Sequence, residues 1–213
     1  MNTGQVESDL AAGLAALKVV DAEGLVPRLA AYLGLLERWN RTHNLTAVRD
    51  PVDMVPRHIL DSLAVLPYLH GKSIVDVGSG AGLPGLPLAM AQPQSRFLLL
   101  DSASKRTRFL NHVIARLDLS NVAVAQARVE DYDGKAGFDT VISRAFSSLA
   151  EFAGLSGHLC APGGCLLAMK GRVDPAEVAA LPAGWRLHQT RDLHVPGLDE
   201  ERHLLEIVPR SAG

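Results

Sequence analysis

Leucines recur at helical spacing through the early part of the chain. Leu10, Leu14 and Leu17 make one stripe; Leu29, Tyr32, Leu33, Leu36 and Trp39 make a second. Steps of three and four put each set on one face of an α-helix. Asp50-Pro51-Val52-Asp53 then supplies an N-cap, a first-turn proline and an early acid. It predicts a third helix carrying Ile59, Leu60 and Leu63, which Pro56 bends or restarts. From residue 71 the pattern changes to short β-branched and apolar runs alternating with helical ones. Strands are predicted over 73–77, 96–100, 121–126, 138–143 and 164–169. A helix over 104–117 turns Phe109, Leu110, Val113, Ile114 and Leu117 inward. Trp185 to Val195 and Arg202 to Val208, joined through Pro196-Gly197-Leu198-Asp199, read as an antiparallel pair. The chain thus divides into a helical region, 1–70, and an α/β domain, 71–213. The expected architecture is Rossmann-like: a mostly parallel sheet with a terminal antiparallel strand pair, plus an N-terminal helical extension.

The chemistry concentrates where the first strand meets its helix. Asp76-Val77-Gly78-Ser79-Gly80-Ala81-Gly82 follows Ser73-Ile74-Val75 and leads into an apolar helical run. Glycine lets the backbone turn tightly and lie against a ligand. The next strand ends in Asp101, where a carboxylate is placed to accept ribose hydroxyls. A dinucleotide fingerprint wants a third glycine at the place of Leu83; here it falls at Gly82. Asp76 would repel a pyrophosphate but suits the ammonium of an amino acid. The pattern therefore favours S-adenosyl-L-methionine over NAD, and leaves an NAD-dependent oxidoreductase as the weaker reading.

Bulk properties narrow the class. The 213 residues are 47% hydrophobic, enough for one sizeable core. A formal charge of −2 gives no global attraction to nucleic acid, so a polyanion site must be a local patch. Cys160 and Cys165 form neither a zinc knuckle nor a disulfide framework; no metal is expected, and a reduced, cytoplasmic setting fits. Met1 to Asp9 lacks the basic start of a secretory signal, and no apolar run reaches membrane-spanning length.

Further segments carry a family resemblance. They are Trp39-Asn40 with Asn44-Leu45-Thr46, and Arg57-His58-Ile59-Leu60-Asp61-Ser62. They continue with Val75 through Gly85, Leu100-Asp101-Ser102 with Lys105-Arg106, Ile142-Ser143-Arg144-Ala145-Phe146, and Lys170-Gly171. From about Tyr32 to Pro209 the chain resembles the bacterial small-subunit ribosomal RNA guanine-N7 methyltransferases, also called GidB. The resemblance implies methylation of N7 of a guanine in the 530 loop of 16S rRNA, with S-adenosylmethionine as donor. Its partner is then 16S rRNA within the small ribosomal subunit or an assembly intermediate, met by a monomer. It also implies cofactor contacts at Gly78, Leu83, Val129, Glu130 and Arg144.

The residues agree with that chemistry. Pyrimidine C5 methylation uses a Pro-Cys nucleophile, but Cys160-Ala161-Pro162 has the reverse order. Exocyclic amines use an acid- or amide-Pro-Pro-aromatic element after the fourth strand, where this chain has Ser143-Arg144-Ala145-Phe146. Guanine N7 has an in-plane lone pair and loses no proton, so alignment carries most of the rate. Arg144 and Lys170, at strand ends, are candidate donors to guanine O6. Arg144 has the alternative of an ion pair with Asp101 or Glu130, Lys170 that of an exposed strand-end lysine, and Phe146 that of core packing. Lys105, Arg106 and Arg108 follow Asp101 and are read as a phosphate-contacting face, against a plain solvated helix face. Arg38, Arg41, Arg49 and Arg57 extend it. His58 and Asp61 are read as structural. A methyltransferase acting on a small molecule or protein is the alternative function.

Overall fold

The computed structural model describes residues 3–134 and 137–210. Helix α1 (Thr3–Ala16) and the long α2 (Ala22–His43) form from the two leucine stripes. Asn44 ends α2 with φ 48° and donates its N–H to Asn40 O. Asp50 caps the next helix by accepting from Val52 N. That helix runs as α3 (Pro51–Met54), a π-helical stretch (Val55–Leu60) and α4 (Asp61–Leu63). Pro56 thus does not restart the helix. Having no N–H to donate, it is absorbed in a wide turn, a feature often found at functional sites.

Seven strands form one sheet: β1 (Ser73–Val77), β2 (Arg96–Leu100), β3 (Val122–Ala125), β4 (Phe138–Ser143), β5 (Cys160–Lys170), β6 (Trp185–Asp192) and β7 (His203–Pro209). Their order is β3-β2-β1-β4-β5-β7-β6, with β7 antiparallel to both neighbours and the other pairs parallel. The Rossmann-like expectation holds. Helix α5 (Gly85–Ala91) follows β1, α6 (Ser104–Leu117) follows β2, and α7 (Leu149–Ser156) follows β4. The fifth strand begins earlier than expected, at Cys160. Its Pro-Gly-Gly stretch bulges, with Gly163 at φ 79°, where the register shifts between Phe138 and Thr140 on β4. The sixth ends at Asp192, short of the predicted Val195, although Leu193 N still donates to Arg202 O at 2.7 Å.

Alternate strand residues feed two cores. Ile74, Leu99, Ile142 and Leu204 lie on one face, joining Leu86 of α5, Phe109 of α6 and Leu10, Leu14, Leu33 and Leu36 of the helical region in one apolar cluster. Val75, Leu98, Val141 and Leu205 face the other way, toward Phe152 of α7. The helical region therefore shares a core with that face of the sheet, and α2 packs against α5 and α6. Strand order reverses at β1, between β2 and β4. Ligands of open α/β sheets bind at such a point, beyond the carboxyl ends of the strands.

The other end of the strands holds a second polar group, of which Cys165 and Glu206 are buried and His70 is exposed. Donor atoms of His70, Cys165 and Glu206 lie within 4.8 Å of one another. Glu206 is already committed: Oε1 lies 3.2 Å from His70 Nε2 and Oε2 3.6 Å from Arg191 Nη2. Burial pushes the Cys165 thiol up to about 12, which keeps it protonated. Glu206 is thus already partnered by His70 and Arg191.

Candidate active site

The loop after β1 is built by glycine. Gly78, Gly80 and Gly82 have φ of 72°, 58° and 92°. A Cβ on Gly82 would collide with Leu86, whereas the space around Gly80 is open, its nearest neighbour being Gly78 O at 3.8 Å. Position 80 is thus set by backbone conformation rather than crowding. Asp76 lies behind the loop. It is fully buried, and its Oδ2 accepts from Gly85 N at 2.9 Å, tying β1 to the start of α5. Burial raises its pKa to about 7, against the lowering effect of the Gly85 N–H and Arg144. Asp101 faces the loop from β2. Its Oδ2 accepts from Gly80 N at 2.9 Å and Arg106 Nη1 at 3.3 Å, and its Oδ1 from Ala103 N at 2.9 Å.

Two cavities open at this edge. The first, about 310 Å³, is lined by Gly78, Asp101, Arg106, Val129, Glu130 and Phe146. The second, about 430 Å³, is lined by Arg57, Asp61, Arg144, Phe146, Lys170 and Arg202. Phe146 belongs to both walls and packs on Phe152 with ring centroids 5.1 Å apart. The fold thus gathers Gly78, Asp101, Val129 and Glu130 in one cavity, and Arg144 and Lys170 in the next. Asp76, Gly82 and Leu83 line neither cavity; Gly82 belongs to the loop, and the buried Asp76 and Leu83 lie behind it.

The second cavity has a charged framework. Arg144 Nη1 donates to Asp61 Oδ2 at 3.1 Å and to Arg57 O at 3.3 Å. An ion pair with Asp101 or Glu130 is not formed, because the end of β4 faces the π-helical turn and not β2. Arg202 Nε donates to Asp61 Oδ1 at 3.2 Å. Burial raises the Asp61 pKa, while the Arg144 and Arg202 guanidiniums lower it. Lys170 is no free strand-end lysine. Its Nζ donates to Ser147 O at 2.9 Å and pairs with Glu177 at 3.1 Å. His58 Nε2 lies 2.8 Å from Thr46 Oγ1; burial, aided by Arg144 and Arg57, lowers its pKa to about 4, so it is neutral near pH 7.

The basic face of α6 divides. Lys105 Nζ donates to His43 O at the end of α2, Arg106 turns to Asp101, and Arg108 is exposed. Sequence reasoning missed Arg202 and underrated Asp61. They lie 141 residues apart, with no local pattern to join them.

This sheet order, with a glycine loop and a strand-end acid at its switch point, defines a Rossmann-like S-adenosylmethionine-dependent methyltransferase. Solved structures share the fold. One is the O-methyltransferase TomG from Streptomyces achromogenes in complex with SAM (TM-score 0.57, 15% identity, 84% of this chain and 90% of that one). Another is a 16S rRNA adenine-N1 methyltransferase from Catenulisporales acidiphilia (TM-score 0.54, 19% identity, 71% and 92%). The family model GidB, described as rRNA small subunit methyltransferase G, matches residues 26–205. Proteins named ribosomal RNA small subunit methyltransferase G align over nearly the whole chain. That of Nitrosococcus oceani is 48% identical over 207 residues, covering 97% of each chain. That of Xanthomonas campestris pv. campestris is 48% identical over 210 residues, covering 97% and 99%. The chain belongs to the GidB family of rRNA small subunit methyltransferases, and its cofactor is S-adenosylmethionine. No helix among the described residues is long and apolar enough to cross a membrane.

Proposed function

We propose that this protein methylates N7 of a guanine in the 530 loop of 16S rRNA. The observation that carries the reading is the pair of cavities sharing Phe146, one built on the glycine loop and one walled by arginines. The first fits S-adenosylmethionine. Gly78 keeps the backbone bare, since a Cβ there would reach 3.0 Å from Ala145. Asp101 faces the cavity with its position fixed by three N–H donors, ready for a ribose. When bound, the cofactor supplies a methyl group made electrophilic by a sulfonium. Val129 and Glu130 would flank the adenosine.

In this reading the second cavity takes the guanine. Its Hoogsteen edge presents O6 beside N7, and a guanidinium is the natural donor to O6. Arg144 supplies it, and Phe146 offers a ring to the base plane. Arg144 and Phe146 would hold N7 toward the methyl that the bound cofactor would supply. The base becomes cationic and releases no proton. His58, made a weak base by burial and bonded to Thr46, and a lysine tied up with Glu177 suit a reaction that needs no general base.

The test is to incubate the protein with small-subunit particles lacking the modification and with labelled cofactor, then treat the RNA with borohydride and aniline. Cleavage at one guanine of the 530 loop is expected. Label on an exocyclic amine or on C5, resisting cleavage, would refute the assignment.

A further inference from the structure

Asp61 sits where three parts of the chain meet. It follows the π-helical stretch and is 2% exposed. Arg144 arrives from the end of β4 and Arg202 from just before β7. Each takes a different carboxylate oxygen, at 3.1 and 3.2 Å. Arg202 is fully engaged: Nη1 donates to Glu201 O and Nη2 to Glu200 Oε2, both at 2.8 Å. Glu200 in turn pairs with Arg57 at 2.6 Å. Arg144 is engaged only through Nη1, with Asp61 and with Arg57 O. Its Nε and Nη2 have no hydrogen-bond partner among the described residues. One guanidinium is therefore a brace. The other is held by one nitrogen and keeps its remaining donors for the cavity.

We propose that Asp61 is the positioning residue of the base cavity: braced by Arg202, it fixes Arg144 so that Nε and Nη2 point at the base's carbonyl edge. The inference rests on the guanine reading above and goes beyond it by assigning the donor's anchor. A buried carboxylate is costly unless paired, so a site that keeps one between two arginines gains geometry. An unanchored arginine would bring comparable charge to the RNA but lose alignment. Displacement of a reacting group by about 1 Å costs roughly 100-fold in rate.

Asp61→Asn keeps shape and removes the charge that grips Arg144. Single-turnover methyl transfer at saturating small-subunit particles should fall roughly 100-fold, with RNA and cofactor affinity within about twofold of wild type. Asp61→Glu should recover part of the rate, since it restores the charge. Arg202→Lys reaches the brace from the surface side; it keeps the positive charge, loses the Nε bond, and should also slow the step. A wild-type rate in Asp61→Asn would overturn the proposal, whatever Arg202→Lys does. So would a rate loss matched by a lowered melting temperature and lost cofactor binding, the mark of a purely structural carboxylate. Cleavage mapping of the wild-type product in the same experiment separates the two claims. Methylation at another atom sinks the guanine-N7 reading, whereas correct N7 product from an unimpaired Asp61→Asn sinks only the role of Asp61.

Discussion

Tyr32, in the middle of α2, donates its hydroxyl to the carbonyl of Ala81 in the glycine loop at 2.7 Å. Both residues are buried, and burial keeps the phenol protonated. The helical extension is thereby fastened to the loop that shapes the first cavity. Tyr32→Phe leaves the Ala81 carbonyl without its donor, a change worth about 1–3 kcal/mol. The expected result is a lower urea midpoint and weaker S-adenosylmethionine binding by calorimetry. Unchanged cofactor affinity would show that the loop holds its shape without the helix.

Gly80 tests conformation against crowding. Its surroundings are open, but its φ of 58° costs a side-chain-bearing residue about 1 kcal/mol. Gly80→Ala should therefore fold with that modest loss. Its binding defect should be larger, because any relaxation of φ at position 80 also turns the N–H that orients Asp101. Equal losses in stability and binding, read by urea titration and calorimetry, would rule that out.

The basic face of α6 should separate into two phenotypes. Arg106 lines the first cavity and pairs with Asp101, so Arg106→Ala is expected to weaken cofactor binding. Arg108 points outward. Arg108→Ala should spare the cofactor and flatten the salt dependence of RNA binding by roughly 0.7 to 0.9 log units if one phosphate contact is lost. Filter binding across a salt series checks it; an unchanged slope removes Arg108 from the RNA interface.

Asp76 predicts a pH dependence of stability. Its folded pKa of about 7 lies above the ordinary 3.8, so the native state binds the proton more tightly than the unfolded chain does. Its contribution is fully present below about pH 4 and is lost as pH rises through about 7. Asp76→Asn abolishes that slope. At pH 8 the variant should be the more stable, by up to roughly 4 kcal/mol. Parallel pH profiles for wild type and variant would contradict the assignment.

Much of this was legible in short-range pattern. The leucine stripes specify α1 and α2, and the alternating faces of β1, β2 and β4 specify a sheet covered on both sides. The glycines after Val77 mark the cofactor loop, because a positive φ leaves few other choices. Those are local rules of period and backbone sterics, and the chain carries them in windows of a few residues. The direction of charged side chains was not legible in that way. Asp76 holds Gly85 N–H, and Arg106 reaches back to Asp101 from the first turn of α6. Arg144 passed over the nearby acids for Asp61, 83 residues away in sequence, which also holds Arg202 from 141 residues away. Long flexible cations reach whichever carboxylate the packed elements leave within hydrogen-bond distance. That choice belongs to the tertiary structure alone, since it depends on where the π-helical turn, the end of β4 and the start of β7 come to rest against one another.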